Sequence, residues 1–256
     1  MAHVIAVAGK GGVGKTTLCG MLIQYLGEKG KGPILAVDAD ANSNLNEVLG
    51  VKVDTTLGDV REEIARAEMS KTNPIPTGMS KADFAELRFE DALVEDDDFD
   101  LLVMGRTQGK GCYCYVNGLL QTQLSKYQSA YPYIVVDNEA GMDHISRGVL
   151  PTMQTAILVS DCSRRGVQAV GRIAQLIKEC EMKPERVGLI INRAPKGELN
   201  AGIKEEIELQ GLELLGVVPQ DDAVYEYDCE GRPTASLPND NPVKVALHAI
   251  VDKLGL

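Results

Sequence analysis

The sequence predicts an α/β fold: a single doubly wound, mainly parallel sheet of about seven strands with helices on both faces. Three observations carry this expectation. Short, uniformly apolar runs recur along the chain, as in strands buried on both faces. Amphipathic helical stretches separate most of them. The first forty residues form a strand, a glycine-rich turn, a helix and a second strand, the unit that builds parallel sheets with right-handed crossovers.

In order, Met1–Ala8 is apolar and partly β-branched and reads as the first buried strand. A glycine-rich turn follows at Gly9–Gly14. A helix then starts at Lys15 or Thr16 and stops near Gly30, a residue suited to the position after a helix C-terminus. Ile34–Asp38 is the second strand. The stretch from about 42 to 99 is more polar. Within it, Thr56 with Asp59 and Ser80 with Asp83 mark helix starts, each a side-chain cap with an acid three residues later. Asn73–Gly78 is a loop by its two prolines and glycine, and Glu95–Asp98 reads as a solvated turn. Asp100–Met104, Tyr133–Asp137, Ala156–Ser160, Val187–Asn192 and Leu214–Val218 are further strands. Arg165–Cys180 and Val243–Leu254 are helices. No internal repeat or Ser/Gly-rich linker divides the chain, so residues 1–256 are expected to form one domain.

Composition narrows the class. Hydrophobic residues make up 44% and charged residues 25%, ordinary for a globular chain. Aromatics are 4%, so the core is aliphatic. No apolar run approaches the ~18 residues of a membrane span, and Met1–Ala8 lacks a basic n-region, so a cytoplasmic protein is expected. The net charge of −11 disfavours nucleic acid and anionic membrane as partners. Cys19, Cys162, Cys180 and Cys229 are isolated and read as buried small apolar side chains.

Gly9-Lys10-Gly11-Gly12-Val13-Gly14-Lys15-Thr16-Thr17 matches the phosphate-loop pattern, with a buried strand before it and a helix after it. Glycines allow a nest of backbone N–H groups around one anion, and the following helix adds its positive end. Lys15 is placed to reach the β- and γ-phosphates, and the Thr16 hydroxyl to ligate Mg²⁺. Lys10 is unexplained by that pattern. With it, Lys10–Thr16 resembles the signature of the deviant Walker A ATPases, the group of septum-site and partitioning ATPases, nitrogenase iron protein and metal-insertion chaperones. The resemblance implies that Lys10 crosses a homodimer interface to phosphates held by the partner. It places Asp38 and Asp40 in the first switch, with Asp40 orienting the attacking water and Asp38 near Mg²⁺. Asp137 resembles the Walker B acid, with Asn138-Glu139-Ala140-Gly141 as the second switch. Many relatives have Thr-Pro before that Ala-Gly, a departure in this chain. Asn192, with Arg193 beside it, and Pro219 fall where the family holds adenine. The implied catalytic set is Lys15, Asp40 and Lys10, with ATP as substrate and ADP as product.

Cys112 and Cys114 form a Cys-x-Cys pair in Gly109–Tyr115, ahead of a helical stretch whose buried face is Val116, Leu119, Leu120 and Leu124. Two thiolates are too few for a closed tetrahedral site, but two copies of the chain meeting on a two-fold axis supply four. Gly-Cys-Tyr-Cys, together with residues 137–148, most closely resembles the CooC-type accessory ATPases. That resemblance implies a homodimer promoted by nucleotide and metal, with Ni²⁺ or Zn²⁺ held by Cys112 and Cys114 of both subunits. It also implies a client nickel enzyme, carbon monoxide dehydrogenase or acetyl-CoA synthase. His144 is a further candidate ligand, although a lone histidine is more often hydrogen-bonded scaffold. The sequence is also compatible with two rival readings. One is an electron-transfer ATPase with a dimer-bridging [4Fe–4S] cluster, disfavoured because Met142–Leu150 has no cysteine. The other is a partitioning-type regulatory ATPase.

Overall fold

Residues 1–69, 75–106, 121–122, 124–139 and 153–256 are described by the structure, a computed structural model. The strands are β1 (His3–Gly9), β2 (Ile34–Asp38), β3 (Leu93–Glu95), β4 (Phe99–Val103), β5 (Tyr133–Asp137), β6 (Thr155–Asp161), β7 (Arg186–Ala194) and β8 (Leu214–Pro219). The helices are α1 (Lys15–Glu28), α2 (Leu45–Leu49), α3 (Leu57–Met69), α4 (Lys81–Glu90), α5 (Arg164–Glu179), α6 (Ala201–Leu209), α7 (Asp222–Cys229) and α8 (Pro242–Leu254).

Among the described residues, eight strands form one sheet in the order β3-β4-β2-β5-β1-β6-β7-β8. All neighbours are parallel except β3 and β4. The central strands are apolar throughout because both faces are covered. Val4, Ala6 and Ala8 of β1 point to one face, with Leu35 and Val37 of β2 and Ile134 and Val136 of β5. There they meet Leu57 and Val60 of α3 and Val167 and Val170 of α5. Ile5 and Val7 point the other way, with Ala36 and Val135, onto Leu18 and Leu22 of α1 and Leu247 and Ile250 of α8. Each strand therefore feeds two cores through its period of two.

The local signals for helix boundaries hold. Thr56 and Asp59 cap α3 reciprocally: Thr56 N–H donates to Asp59 Oδ2 at 2.9 Å, and Asp59 N–H donates to Thr56 Oγ1 at 3.2 Å. Ser80 Oγ accepts from Asp83 N–H at 3.1 Å and starts α4. After α1, Gly30 adopts a φ of 69°, which ends the helix.

Two expectations are corrected. The eighth strand, β3, is three residues long and antiparallel, too short to show a periodicity, and it absorbs Glu95 from the acidic run. Asp96–Asp98 remain an exposed turn, with Asp96 N–H donating to the Phe99 carbonyl at 3.0 Å. Of the four isolated cysteines, Cys19 is buried and Cys162 half-buried, whereas Cys180 and Cys229 are exposed. Both exposed residues stand at the ends of helices, where the apolar stripe gives way to solvent.

Candidate nucleotide site

The parallel strands end side by side at one edge of the sheet. β1 lies between β5 and β6, and β2 lies beyond β5, so the first crossover skips a strand and a crevice opens at the carboxyl ends. The phosphate loop sits there. A Cβ on Gly9 would stand 2.2 Å from the Val159 carbonyl oxygen of β6, so only glycine lets the loop leave the sheet at this point. Gly12 and Gly14 have φ of 78° and 87°, the left-handed conformations a nest requires. The helix α1 starts directly after Gly14. Lys15 is buried, and its ammonium donates to the Lys10 carbonyl at 3.4 Å. The Lys10 side chain is exposed.

A cleft of about 820 Å³ opens over the loop, lined by Gly11, Gly12, Gly14, Lys15, Thr16, Thr17 and Asp40, with α2 and residues 231–234 as its far wall. A second cleft of about 340 Å³ adjoins it, lined by Asn192, Arg193, Pro219, Val224, Tyr225 and Asp228 among others. Gly14, Thr17, Arg193 and Asp228 border both. A long anion in the first cleft and a flat, partly apolar group in the second would thus be one continuous ligand.

Three acids stand where the strands end. Asp38 and Asp137 are paired in register across β2 and β5, and both are buried. Burial pushes the Asp137 carboxyl up to about 7, with Asp38 adding to the rise, while a Thr16 hydrogen bond and the Lys15 charge oppose it. Its Oδ1 is buried without a partner. Burial likewise raises Asp38 to about 6. Both Asp38 oxygens are engaged: Oδ1 accepts from Asp40 N–H and Oδ2 from Leu45 N–H, each at 3.0 Å. Asp38 therefore shapes the loop that carries Asp40 into the cleft. Asp40 in turn accepts from Asn42 N–H at 2.8 Å, and Arg106 hydrogen-bonds Asn42 from the end of β4.

At the end of β7, the Asn192 amide donates to the Val13 carbonyl at 2.9 Å, and the Arg193 guanidinium donates to the Gly12 carbonyl at 2.9 Å. Pro219 ends β8 and walls the second cleft.

The structure thus brings together residues 9–17, Asp38, Asp40, Asp137, Asn192, Arg193 and Pro219. Cys112, Cys114, His144, the Ala140-Gly141 part of the second switch, and Val116, Leu119 and Leu120 lie outside the described residues. Leu124 is buried, as its spacing requires. Among the described residues no group of three or more His, Cys, Asp or Glu side chains is arranged to hold a metal ion. Sequence reasoning did not reach Val224, Tyr225 and Asp228. Their signal was available: Asp221 follows Pro219 and caps α7, its Oδ1 accepting from Ala223 N–H at 3.0 Å. One face of that helix then lines the cleft at spacings of three and four residues.

The sequence profile of the CobQ/CobB/MinD/ParA nucleotide binding domain matches residues 4–234. An uncharacterized ATP-binding protein of Methanocaldococcus jannaschii is 39% identical over 251 residues, covering 98% of both chains. The carbon monoxide dehydrogenase accessory protein CooC of Rhodospirillum rubrum is 28% identical over 250 residues, covering 89% of this chain and 87% of its own. Among solved structures, the septum site-determining protein MinD from Pyrococcus horikoshii, complexed with Mg-ADP, superposes with a TM-score of 0.73. It is 24% identical, with 100% of this chain and 98% of that chain covered.

Proposed function

The chain belongs to the CobQ/CobB/MinD/ParA nucleotide-binding family and is an ATPase, and from that premise we propose that it is an ATP-hydrolysing metallochaperone. In this reading it dimerises with nucleotide, holds one divalent ion, nickel by preference, between the Cys112 and Cys114 pairs of two subunits, and delivers it to a nickel enzyme. Carbon monoxide dehydrogenase and acetyl-CoA synthase are the client class. The observation that carries the reading is the Cys-x-Cys pair in a chain with a complete phosphate loop, supported by the likeness to the CooC accessory protein. In α8, Val243, Leu247, Ile250 and Val251 are buried, so that helix uses its apolar face in core packing.

In the nucleotide site, Lys15 neutralises the β- and γ-phosphates, and Asp40 orients the attacking water. Lys10, exposed at the mouth of the loop, is free to reach phosphates on the partner subunit. The buried, unpartnered Asp137 Oδ1 fits a hydrated Mg²⁺, which Thr16 and Asp137 would hold. The ion supplies charge neutralisation at the phosphates when bound.

Metal titration followed by analytical ultracentrifugation tests the proposal. One tightly bound ion per two chains is expected, with the dimer strengthened by ATP and the metal lost in Cys112→Ser and Cys114→Ser while ATP binding survives. Linkage requires ATP to raise metal affinity by the factor by which metal raises ATP affinity. One ion per chain, or unchanged metal binding in both variants, would refute the shared site.

A further inference from the structure

A phosphate nest has a reverse side. When successive N–H groups turn inward to an anion, the carbonyls of the same peptides turn outward and need donors of their own. Here two consecutive residues at the end of β7 supply them. The Asn192 Nδ2 group reaches the Val13 carbonyl, and Arg193 Nη1 reaches the Gly12 carbonyl, both at 2.9 Å. Consecutive residues in a strand face opposite ways, so this pairing needs a device. The device is visible. The register of β7 against β8 shifts between Ile191 and Ala194, and Arg193 takes a φ of 54°, a conformation costly for a residue with a Cβ. The Asn192 side-chain Oδ1 locks the bend by accepting from Arg193 N–H at 2.9 Å. On the loop side, a Cβ at Gly14 would lie 2.5 Å from Asn192 Nδ2, so the two segments are in close contact.

We propose that Asn192 and Arg193 are positioning residues that brace the phosphate loop from outside, fixing the Gly12 and Val13 peptides so that their neighbours' N–H groups are preset for phosphate. The brace serves any ligand with a polyphosphate chain, whichever base it carries. This differs from the adenine contact implied for Asn192, and it gives the strained backbone at Arg193 a purpose. It rests on reading residues 9–17 as the phosphate site.

The test compares Arg193→Gly and Arg193→Lys with the parent chain, using magnesium tripolyphosphate, ATP and GTP as probes in calorimetric titration, alongside the unfolding midpoint without ligand. Arg193→Gly should weaken all three probes by one common factor, about fivefold to tenfold for a lost hydrogen bond, with the ratio of ATP to GTP affinity unchanged. Its unfolding midpoint should hold or rise, because glycine accepts the φ of 54° without strain. Arg193→Lys should recover part of the affinity through its single ammonium donor. Unchanged tripolyphosphate affinity in Arg193→Gly would overturn the brace. So would a loss confined to ATP with an altered ATP to GTP ratio, which marks a base contact. A fall in midpoint matching the fall in affinity would reduce Arg193 to a stability role. Failure of the parent chain to bind tripolyphosphate and ATP would instead remove the phosphate site itself, and the brace with it.

Discussion

Asp137→Asn should make the nucleotide-free protein more stable. The Asp137 carboxyl is buried and raised from 3.8 to about 7, with burial the main cause and the neighbouring Asp38 a further one. A carboxyl whose folded pKa lies above its unfolded value costs the folded state nothing while both forms are protonated. The cost begins as pH rises past about 4, grows until about pH 7, and stays constant above that. A shift of roughly three units at about 1.4 kcal/mol per unit gives on the order of 4 kcal/mol. The asparagine escapes this charge penalty but brings two buried amide donors, which cost about 1–2 kcal/mol if unpaired. A net gain of about 2–3 kcal/mol near pH 8 follows, shrinking toward zero near pH 5. Urea unfolding of both proteins at the two pH values measures it. Magnesium and ADP should then stabilise the parent chain far more than the variant, since the variant has lost the charge that the cation offsets. A variant no more stable than the parent near pH 8, or a difference independent of pH, would refute the reasoning.

The remaining expectations concern the loop and its acids. Gly9→Ala should destabilise the fold by about 1–3 kcal/mol or more, read from the thermal midpoint, because the new methyl meets the Val159 carbonyl at 2.2 Å and backbone must move. Lys15→Ala should abolish ATP hydrolysis in a phosphate-release assay, since no other buried cation faces the cleft among the described residues. Asp40→Ala should keep nucleotide affinity within a few-fold while turnover falls by about a hundredfold or more, the scale of a lost water-orienting group. Normal turnover in that variant would return Asp40 to a purely structural part of its loop.

The features legible in the sequence are those with a local cause. Seven of the eight described strands announce themselves as short apolar runs because the sheet is covered on both faces, the first of them while leading into its glycine loop. The caps at Thr56 and Ser80 are decided within four residues. The phosphate loop is contiguous, so its chemistry is written in one place. What escaped depends on pairing at a distance. β3 exists because β4 offers it an edge, and three residues carry no period of their own. The second cleft gathers α1, the ends of β7 and β8 and α7, which no spacing rule joins.

Asp38 shows the difference most clearly. Its place at the end of a strand beside the loop made it a candidate for magnesium, a role that suits any acid at that edge. Its partners are two backbone N–H groups, of Asp40 and Leu45, so both oxygens are committed to the loop between β2 and α2. A carboxylate held by such bonds is worth keeping ionised, yet burial drives its pKa to about 6, above the ordinary 3.8. The two tendencies meet at one group, and Asp137 sits beside it in register with an oxygen left over. Two buried carboxylates side by side disfavour each other's charge, and the described protein around them offers Lys15 as the nearby cation. Lys15 is meanwhile bonded to the Lys10 carbonyl. The site is therefore short of positive charge at its acids, and its Lys15 ammonium rests on a backbone oxygen. Binding a polyphosphate with its cation corrects both at once, which is why the nucleotide-free state should be the strained one and the loaded state the relaxed one.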